Sequence, residues 1–366
     1  MGEGMVKGMA MCGLCMAFPS KFDIDDRSPI IMSIHFRILG GPGRDNALLV
    51  QVDSGQAVER LLFDCGEGCV SELSFGEIQD IDHVFFSHFH MDHIAGFDSF
   101  FRCVFNRETK PNYIWGPPGT RKVMHHRFRG FLWNLHEQMA GSWRVSDLYP
   151  EEGRISTGRY ELREAFASAH EVSEARLPQG VGYTVEAFTM NHRTPSMAYL
   201  VREKARWNID ASRLGSLGLR PGPWLKQLKD SVDDESTLDI EGVTYSVADL
   251  RKSLLTETPG DSIAYLTDFL MDETAMKHLE PALLGCRVIV CESQYRHCDE
   301  ELAQKNYHMT SVQAATLAQR AGAEMLVLFH LSDRYRPDEW LEMIQEAREV
   351  FSNTRVASEW GLIPNI

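Results

Sequence analysis

Four residues within six positions, His88, His90, Asp92 and His93, carry most of the chemistry that can be read from this chain. Zinc takes nitrogen and oxygen ligands that converge within bonding distance. Alternate residues leaving a strand point the same way, so His88 and His90 can share one ion. The turn that follows carries Asp92 and His93 to the other side, where they can serve a second ion. A lone histidine is usually an ordinary surface or core residue, but three histidines and an aspartate at this density mark a metal site. Two ions a few ångströms apart can hold a hydroxide at neutral pH and clamp both oxygens of an in-line displacement, which suits a phosphodiester. Asp268 and His330 each close a strand-like block, where active-site residues of layered α/β folds sit. On their own, His192, ahead of Arg-Thr-Pro-Ser, reads as a loop histidine and Asp64 as a turn carboxylate.

Mostly strands must hold these residues. Ile31–Leu39, Ala47–Val52, Arg60–Asp64 and His83–Ser87 are rich in β-branched or large apolar residues, and Gly/Asp turns separate most of them. Asp92–Val104 shifts to helical spacing, with Ile94, Phe97, Phe101 and Val104 on one face. Residues 105–185 are hard to read beyond the turn at Trp115–Gly119 and a basic helix candidate behind it. Strand patterns return at Gly182–Thr189, Met197–Val201, Ser262–Thr267, Arg287–Cys291 and Glu324–Phe329. Thr310-Ser-Val-Gln313 is a capping box opening a helix that should stop near Gly322. Residues 202–260, with Gly/Pro turns and swings of charge, read as an inserted arm. The order predicts a layered α/β domain: a disordered leader over 1–29, then a single domain over 30–366.

The His-x-His-x-Asp-His run is the signature of the metallo-β-lactamase superfamily, and its surroundings resemble ribonuclease Z, the tRNA 3′-end endonuclease family. Leu62-Phe-Asp64-Cys-Gly-Glu67-Gly68 is similar to the family's element before the metal motif, and Asn191-His192-Arg-Thr-Pro-Ser196 to its later histidine motif. Leu217-Gly-Leu-Arg-Pro-Gly222-Pro223 resembles the Gly-Pro element of its substrate arm, Tyr265-Leu-Thr-Asp268 its bridging aspartate, and Phe329-His330 its closing histidine. The matches are collinear over about 31–340. The resemblance implies a four-layer αββα fold, with two mixed sheets face to face and helices outside. It puts His88, His90 and His192 on one Zn2+, Asp92, His93 and His330 on the other, and Asp268 between them, with Mn2+ or iron as substitutes. Asp64 would orient a ligand histidine through its free nitrogen. Glu292 and His308 match the pair that protonates the leaving 3′-oxygen, so Asp92, Glu292 and His308 make up the expected catalytic group. A homodimer in which one subunit's arm serves its partner is also implied.

Several positions depart from the family pattern. Cys291 stands where histidine precedes the glutamate, Met91 where glycine is usual, and Ala198 in place of glycine in Ser-x-Gly-Tyr. The first turn, Gly40-Gly-Pro-Gly43, differs from the usual Gly-Thr-Gly. The metal set is intact while substrate-facing positions differ, so hydrolysis of a small phosphodiester, cyclic nucleotide or lactone is the alternative to tRNA processing. A binding protein that kept the fold without catalysis would be expected to have lost ligands.

A formal charge of −15 argues against a general nucleic-acid coat but leaves room for local patches. Arg202–Lys229 holds seven basic residues and two acidic ones, which makes Arg220, Lys226 and Lys229 candidate RNA contacts. Arg121–Arg129 adds four positive charges, whereas Asp230–Glu241 adds six negative ones. Eight cysteines without regular spacing, a lone Cys12/Cys15 pair among them, fit reduced thiols in the cytoplasm. No apolar run is long enough to cross a bilayer.

Overall fold

The computed structural model describes residues 34–362, apart from 56, 174–175, 181 and 231–234. The expected leader, with Cys12 and Cys15, lies outside the described residues. Strands β1 (Ile34–Leu39), β2 (Ala47–Asp53), β3 (Val58–Phe63), β4 (His83–Phe85), β5 (Asn112–Gly116), β6 (Ser142–Tyr149), β7 (Arg154–Glu161) and β8 (His170–Val172) form one sheet in sequence order. Its middle, β3 to β6, is parallel, and its flanks are antiparallel hairpins.

β9 (Tyr183–Asn191) and β10 (Pro195–Glu203) begin the second sheet. The chain then leaves it through a ribbon of β11 (Arg206–Ile209) and β14 (Leu255–Thr258). That ribbon encloses helices Ala211–Ser216, Trp224–Asp230 and Val247–Leu254 and a hairpin of β12 (Thr237–Ile240) and β13 (Val243–Ser246). This segment has an apolar cluster of its own, built on Leu214, Trp224, Leu228, Ile240, Leu250 and Leu254. β15 (Ser262–Leu266), β16 (Val288–Glu292), β17 (Met325–Phe329) and β18 (Thr354–Arg355) complete the second sheet in the order β18-β17-β16-β15-β10-β9.

The period of two along each strand sorts side chains into layers. In β2, Leu48, Val50 and Val52 face the core between the sheets, while Ala47 and Leu49 face outward. In β15, Ile263 and Tyr265 meet that same core, and Ala264 and Leu266 turn to the opposite face. The outer face of the first sheet packs under Phe97, Phe101, Met124 and Phe128 of two helices. The outer face of the second packs under Leu279, Leu317 and Ile344 of three more. The result is the expected αββα sandwich.

The expected helix Asp92–Val104 is two helices, Met91–Ile94 and Phe97–Val104. They part at Gly96, where a Cβ would lie 2.1 Å from the Gly66 carbonyl oxygen. The Cys65–Gly66 turn crosses here, with Cys65 N–H donating to His93 O and Gly96 N–H to Cys65 O. Apolar spacing runs through this break and does not reveal it. The box at Thr310 does open a helix, Ser311–Arg320, and Gly322 follows it with a left-handed φ of 61°.

Candidate metal centre

Every expected metal-site residue leaves the C-terminal end of a strand or lies in the turn behind one. Asp64 follows β3, His88 to His93 follow β4, His192 follows β9, Asp268 follows β15, and His330 follows β17. β9, β15 and β17 run the same way, so their ends share one rim of the second sheet. Met197 N–H donates to Ser87 O, and Tyr199 hydroxyl to Phe86 O, tying the motif loop of one sheet to a strand of the other. Asp64, Asp268 and His330 hold left-handed backbone at φ 57°, 47° and 53°. Such strain in non-glycine residues persists where surrounding contacts over-determine the geometry.

Three sets of donor atoms converge, each within 4.8 Å: His88, His90, His192 and Asp268; Asp92, His93, Asp268 and His330; and Asp268, Glu292, His308 and His330. Asp268 belongs to all three. Its Oδ2 lies 3.7 Å from His88 Nε2, 3.3 Å from His93 Nε2 and 3.8 Å from His192 Nε2. Asp92 Oδ2 sits 3.4 Å from the Nε2 atoms of both His93 and His330. Most of the set is buried; His90 and the neighbouring Met91, 81% exposed, mark the open side.

The outer nitrogens explain which inner ones are free. Asp64, fully buried, accepts from Ser87 N–H, Ser87 Oγ, Tyr265 hydroxyl and His93 Nδ1 at 2.6–2.9 Å. The Ser87 hydroxyl, committed to Asp64, can in turn accept from His88 Nδ1 at 3.1 Å. His192 Nδ1 donates to Tyr307 O at 2.8 Å. In its neutral form each of these imidazoles therefore presents an unprotonated Nε2 inward; burial opposes the charged form of His93, but Asp268 and Asp64 outweigh it. The buried Nε2 atoms of His88 and His93 have no hydrogen-bond partner, although buried polar atoms normally find one.

Burial, helped by His93, holds His88 down to about 2, and burial lowers His192 as well. Burial would raise Asp268, yet His330 and His93 hold it well below the usual carboxylate range. Asp92 is lowered in the same sense by His330 and His93 against its own burial. The two ionised carboxylates are balanced by charge on His93 and His330, and a cation held among these side chains would supply that positive charge instead. Divalent cations fit this donor set of histidine nitrogens and carboxylate oxygens.

Beside it, Glu292 ends β16 fully buried. One of its oxygens accepts Phe269 N–H at 3.2 Å, and the other accepts from His308 Nδ1 at 3.0 Å. Burial disfavours the charged form of His308, but the Glu292 carboxylate outweighs it and holds the imidazole up to about 9. Cys291, the departure next to Glu292, points the other way. It packs among the helices of the second sheet against Met309 and does not face the site.

Arg220, Lys226 and Lys229 stand exposed on the β11–β14 segment and are not part of the donor cluster. Of the other basic run, Arg121 pairs with Glu171 and Arg127 with Asp98. Sequence reasoning missed the supporting residues Ser87, Tyr265, Tyr307, Asn46 and Gln294. Asn46 accepts His330 N–H at 3.1 Å, and Gln294 Nε2 lies 3.2 Å from His330 Nδ1. Ser87 and Tyr265 lie inside recognisable motifs, whereas Asn46 carries no local signal.

A family model described as "Anti-Pycsar protein Apyc1" matches residues 44–204. A ribonuclease Z of Deinococcus radiodurans is 44% identical, over 88% of this chain and 97% of its own. A ribonuclease Z of Gloeothece citriformis is 30% identical over 83% of this chain and 86% of its own. Among solved structures, the metallo-β-lactamase fold protein YhfI from Bacillus subtilis superposes with a TM-score of 0.53 at 17% identity, covering 88% of this chain and 95% of its own. The αββα sandwich is thus the metallo-β-lactamase fold.

Proposed function

The chain belongs to the ribonuclease Z family of metal-dependent hydrolases, and from that premise we propose that it is an endoribonuclease cleaving tRNA precursors at their 3′ ends with two zinc ions. In this reading residues 30–366 are one hydrolase domain, 202–260 are its substrate arm, and the protein works in the cytoplasm as a homodimer. Among the described residues, no helix is long and apolar enough to cross a membrane.

One observation carries the proposal: seven histidines and aspartates from four separate loops converge, and the proton-handling pair Glu292–His308 lies against the same Asp268, 3.9 Å from His308 Nδ1. Divalent ions bound there supply Lewis acidity and a means of bringing a water's pKa to about 7. His88, His90 and His192 would hold one ion, Asp92, His93 and His330 the other, with Asp268 shared. Asp64 keeps His93 in the tautomer that presents Nε2. Glu292 occupies His308 Nδ1, which leaves Nε2–H to give its proton to the departing 3′-oxygen of the RNA. Protonation matters because that alkoxide is a poor leaving group, and general acid catalysis contributes about 10²–10⁴-fold. The exposed Arg220, Lys226 and Lys229 would meet phosphates, while Arg121 and Arg127, already paired with carboxylates, offer less to RNA.

The test is to incubate zinc-loaded protein with a precursor tRNA and with a nitrophenyl phosphodiester. Release of the 3′ trailer supports the proposal. Turnover of the small diester with an intact precursor would replace it by small-molecule phosphodiester hydrolysis.

A further inference from the structure

Between the metal ligand His192 and the proton donor His308 lies a contact that neither role requires. Arg193 follows His192 and takes left-handed backbone, φ 59°, with Asn191 Oδ1 accepting its N–H at 3.3 Å. Its guanidinium carbon stands 4.5 Å from the centre of the Tyr307 ring, and its Nη2 donates to Lys305 O at 3.1 Å. That carbonyl belongs to the last turn of helix Glu300–Asn306, where intrahelical donors run out. Tyr307 caps this helix in the left-handed region, φ 62°, and its own carbonyl accepts from His192 Nδ1 at 2.8 Å. The next residue is His308, whose N–H donates to Ala303 O and whose ring bonds Glu292.

We propose that Arg193 and Tyr307 are positioning residues, forming a clamp that sets His192 and His308 relative to one another. The inference rests on reading His192 as a metal ligand and His308 as the proton donor. A tyrosine is a costly choice in left-handed backbone, where glycine fits without strain. Here the ring is stacked on by a cation that also satisfies the helix end, so one group on the β9 side grips both ring and backbone of the turn. Movement of that turn shifts the carbonyl that orients His192 and the backbone that carries His308 together.

The substitutions Arg193→Ala and Tyr307→Gly, singly and combined in the full zinc-loaded chain, test this. Tyr307→Gly keeps the carbonyl and suits the left-handed backbone, so it should leave the melting temperature unchanged or raise it. Zinc should nevertheless pass to a chromogenic chelator about 10-fold faster, the low end of the effect of losing a ligand's outer partner. At saturating precursor tRNA, kcat should fall more than on a nitrophenyl diester, whose leaving group needs little protonation. The double variant should be no worse than Arg193→Ala alone, because that change already removes both the stacking on Tyr307 and the bond to Lys305 O. Wild-type zinc release and kcat in Tyr307→Gly would overturn the clamp. So would a rise in KM for RNA alone in Arg193→Ala, which would make Arg193 a phosphate contact. A wild-type chain that holds no zinc would instead defeat the ligand reading, and the clamp with it.

Discussion

Replacing Asp64 by asparagine isolates the support of the metal site from its ligands. Asparagine tolerates left-handed backbone, so φ 57° adds no strain. Shape and volume barely change. The carboxylate, however, accepts four hydrogen bonds: Oδ1 from Ser87 N–H, and Oδ2 from Ser87 Oγ, His93 Nδ1 and Tyr265. If the amide oxygen takes the Oδ2 place, its NH2 meets the Ser87 N–H, donor against donor. One buried donor left unpaired costs about 1–3 kcal/mol, and each remaining bond loses roughly 1 kcal/mol of charge assistance. These terms are not additive, and we expect about 4 kcal/mol. At about 2.1 cal/mol/K per residue, a chain of 366 residues should then melt about 5 °C lower. His93, no longer oriented by a charge, should bind its ion about 10–100-fold more weakly. Calorimetry of the metal-free protein reads the first number, and chelator competition on the loaded protein reads the second. An asparagine variant that melts within 1 °C of wild type and keeps both ions at wild-type affinity refutes the argument.

Three further outcomes are expected. His90→Ala should lower the metal content from about two ions per chain by at least one and abolish activity; elemental analysis of gently purified, metal-free wild type would contradict the centre itself. Because Glu292 holds His308 protonated up to about 9, acid catalysis should persist below that value and fade above it, with neighbouring cations pulling the limit down. Glu292→Gln should therefore move the alkaline limb of kcat to lower pH, and an unmoved limb would remove His308 from the acid role. Lys226→Glu with Lys229→Glu should raise the Kd for precursor tRNA several-fold and flatten its salt dependence, leaving turnover of a small diester near wild type; unchanged binding would make the arm a structural element.

The local half of the centre was legible because its spacing is itself chemical: His88, His90, Asp92 and His93 report a strand end and a turn directly. The distant half was not. Asp268 and His330 signal only that a strand ends there, and His192 looks ordinary until β9 and β15 are known to share a rim, so a family resemblance had to bring them together. Strands in 105–185 were missed for a physical reason. β7 reads Arg-Ile-Ser-Thr-Gly-Arg-Tyr-Glu, with four exposed or half-buried positions among its first six, and lacks the apolar run that marks β15 or β16. The break at Gly96 depends on a carbonyl thirty positions earlier in the chain, which no helical period can encode.

The paired strands β11 and β14 enter and leave the 206–258 segment side by side, with Ile209 opposite Leu255. A segment whose two ends meet, and which fills its own apolar interior, can be exchanged as a cassette. Closing the chain with a short turn between Ile209 and Leu255 should leave a hydrolase that still holds its metals but has lost this appendage, and grafting another appendage there would retarget the same centre. If the segment grips substrate as proposed, what the enzyme binds can be rewritten at this ribbon without touching the residues of the metal centre.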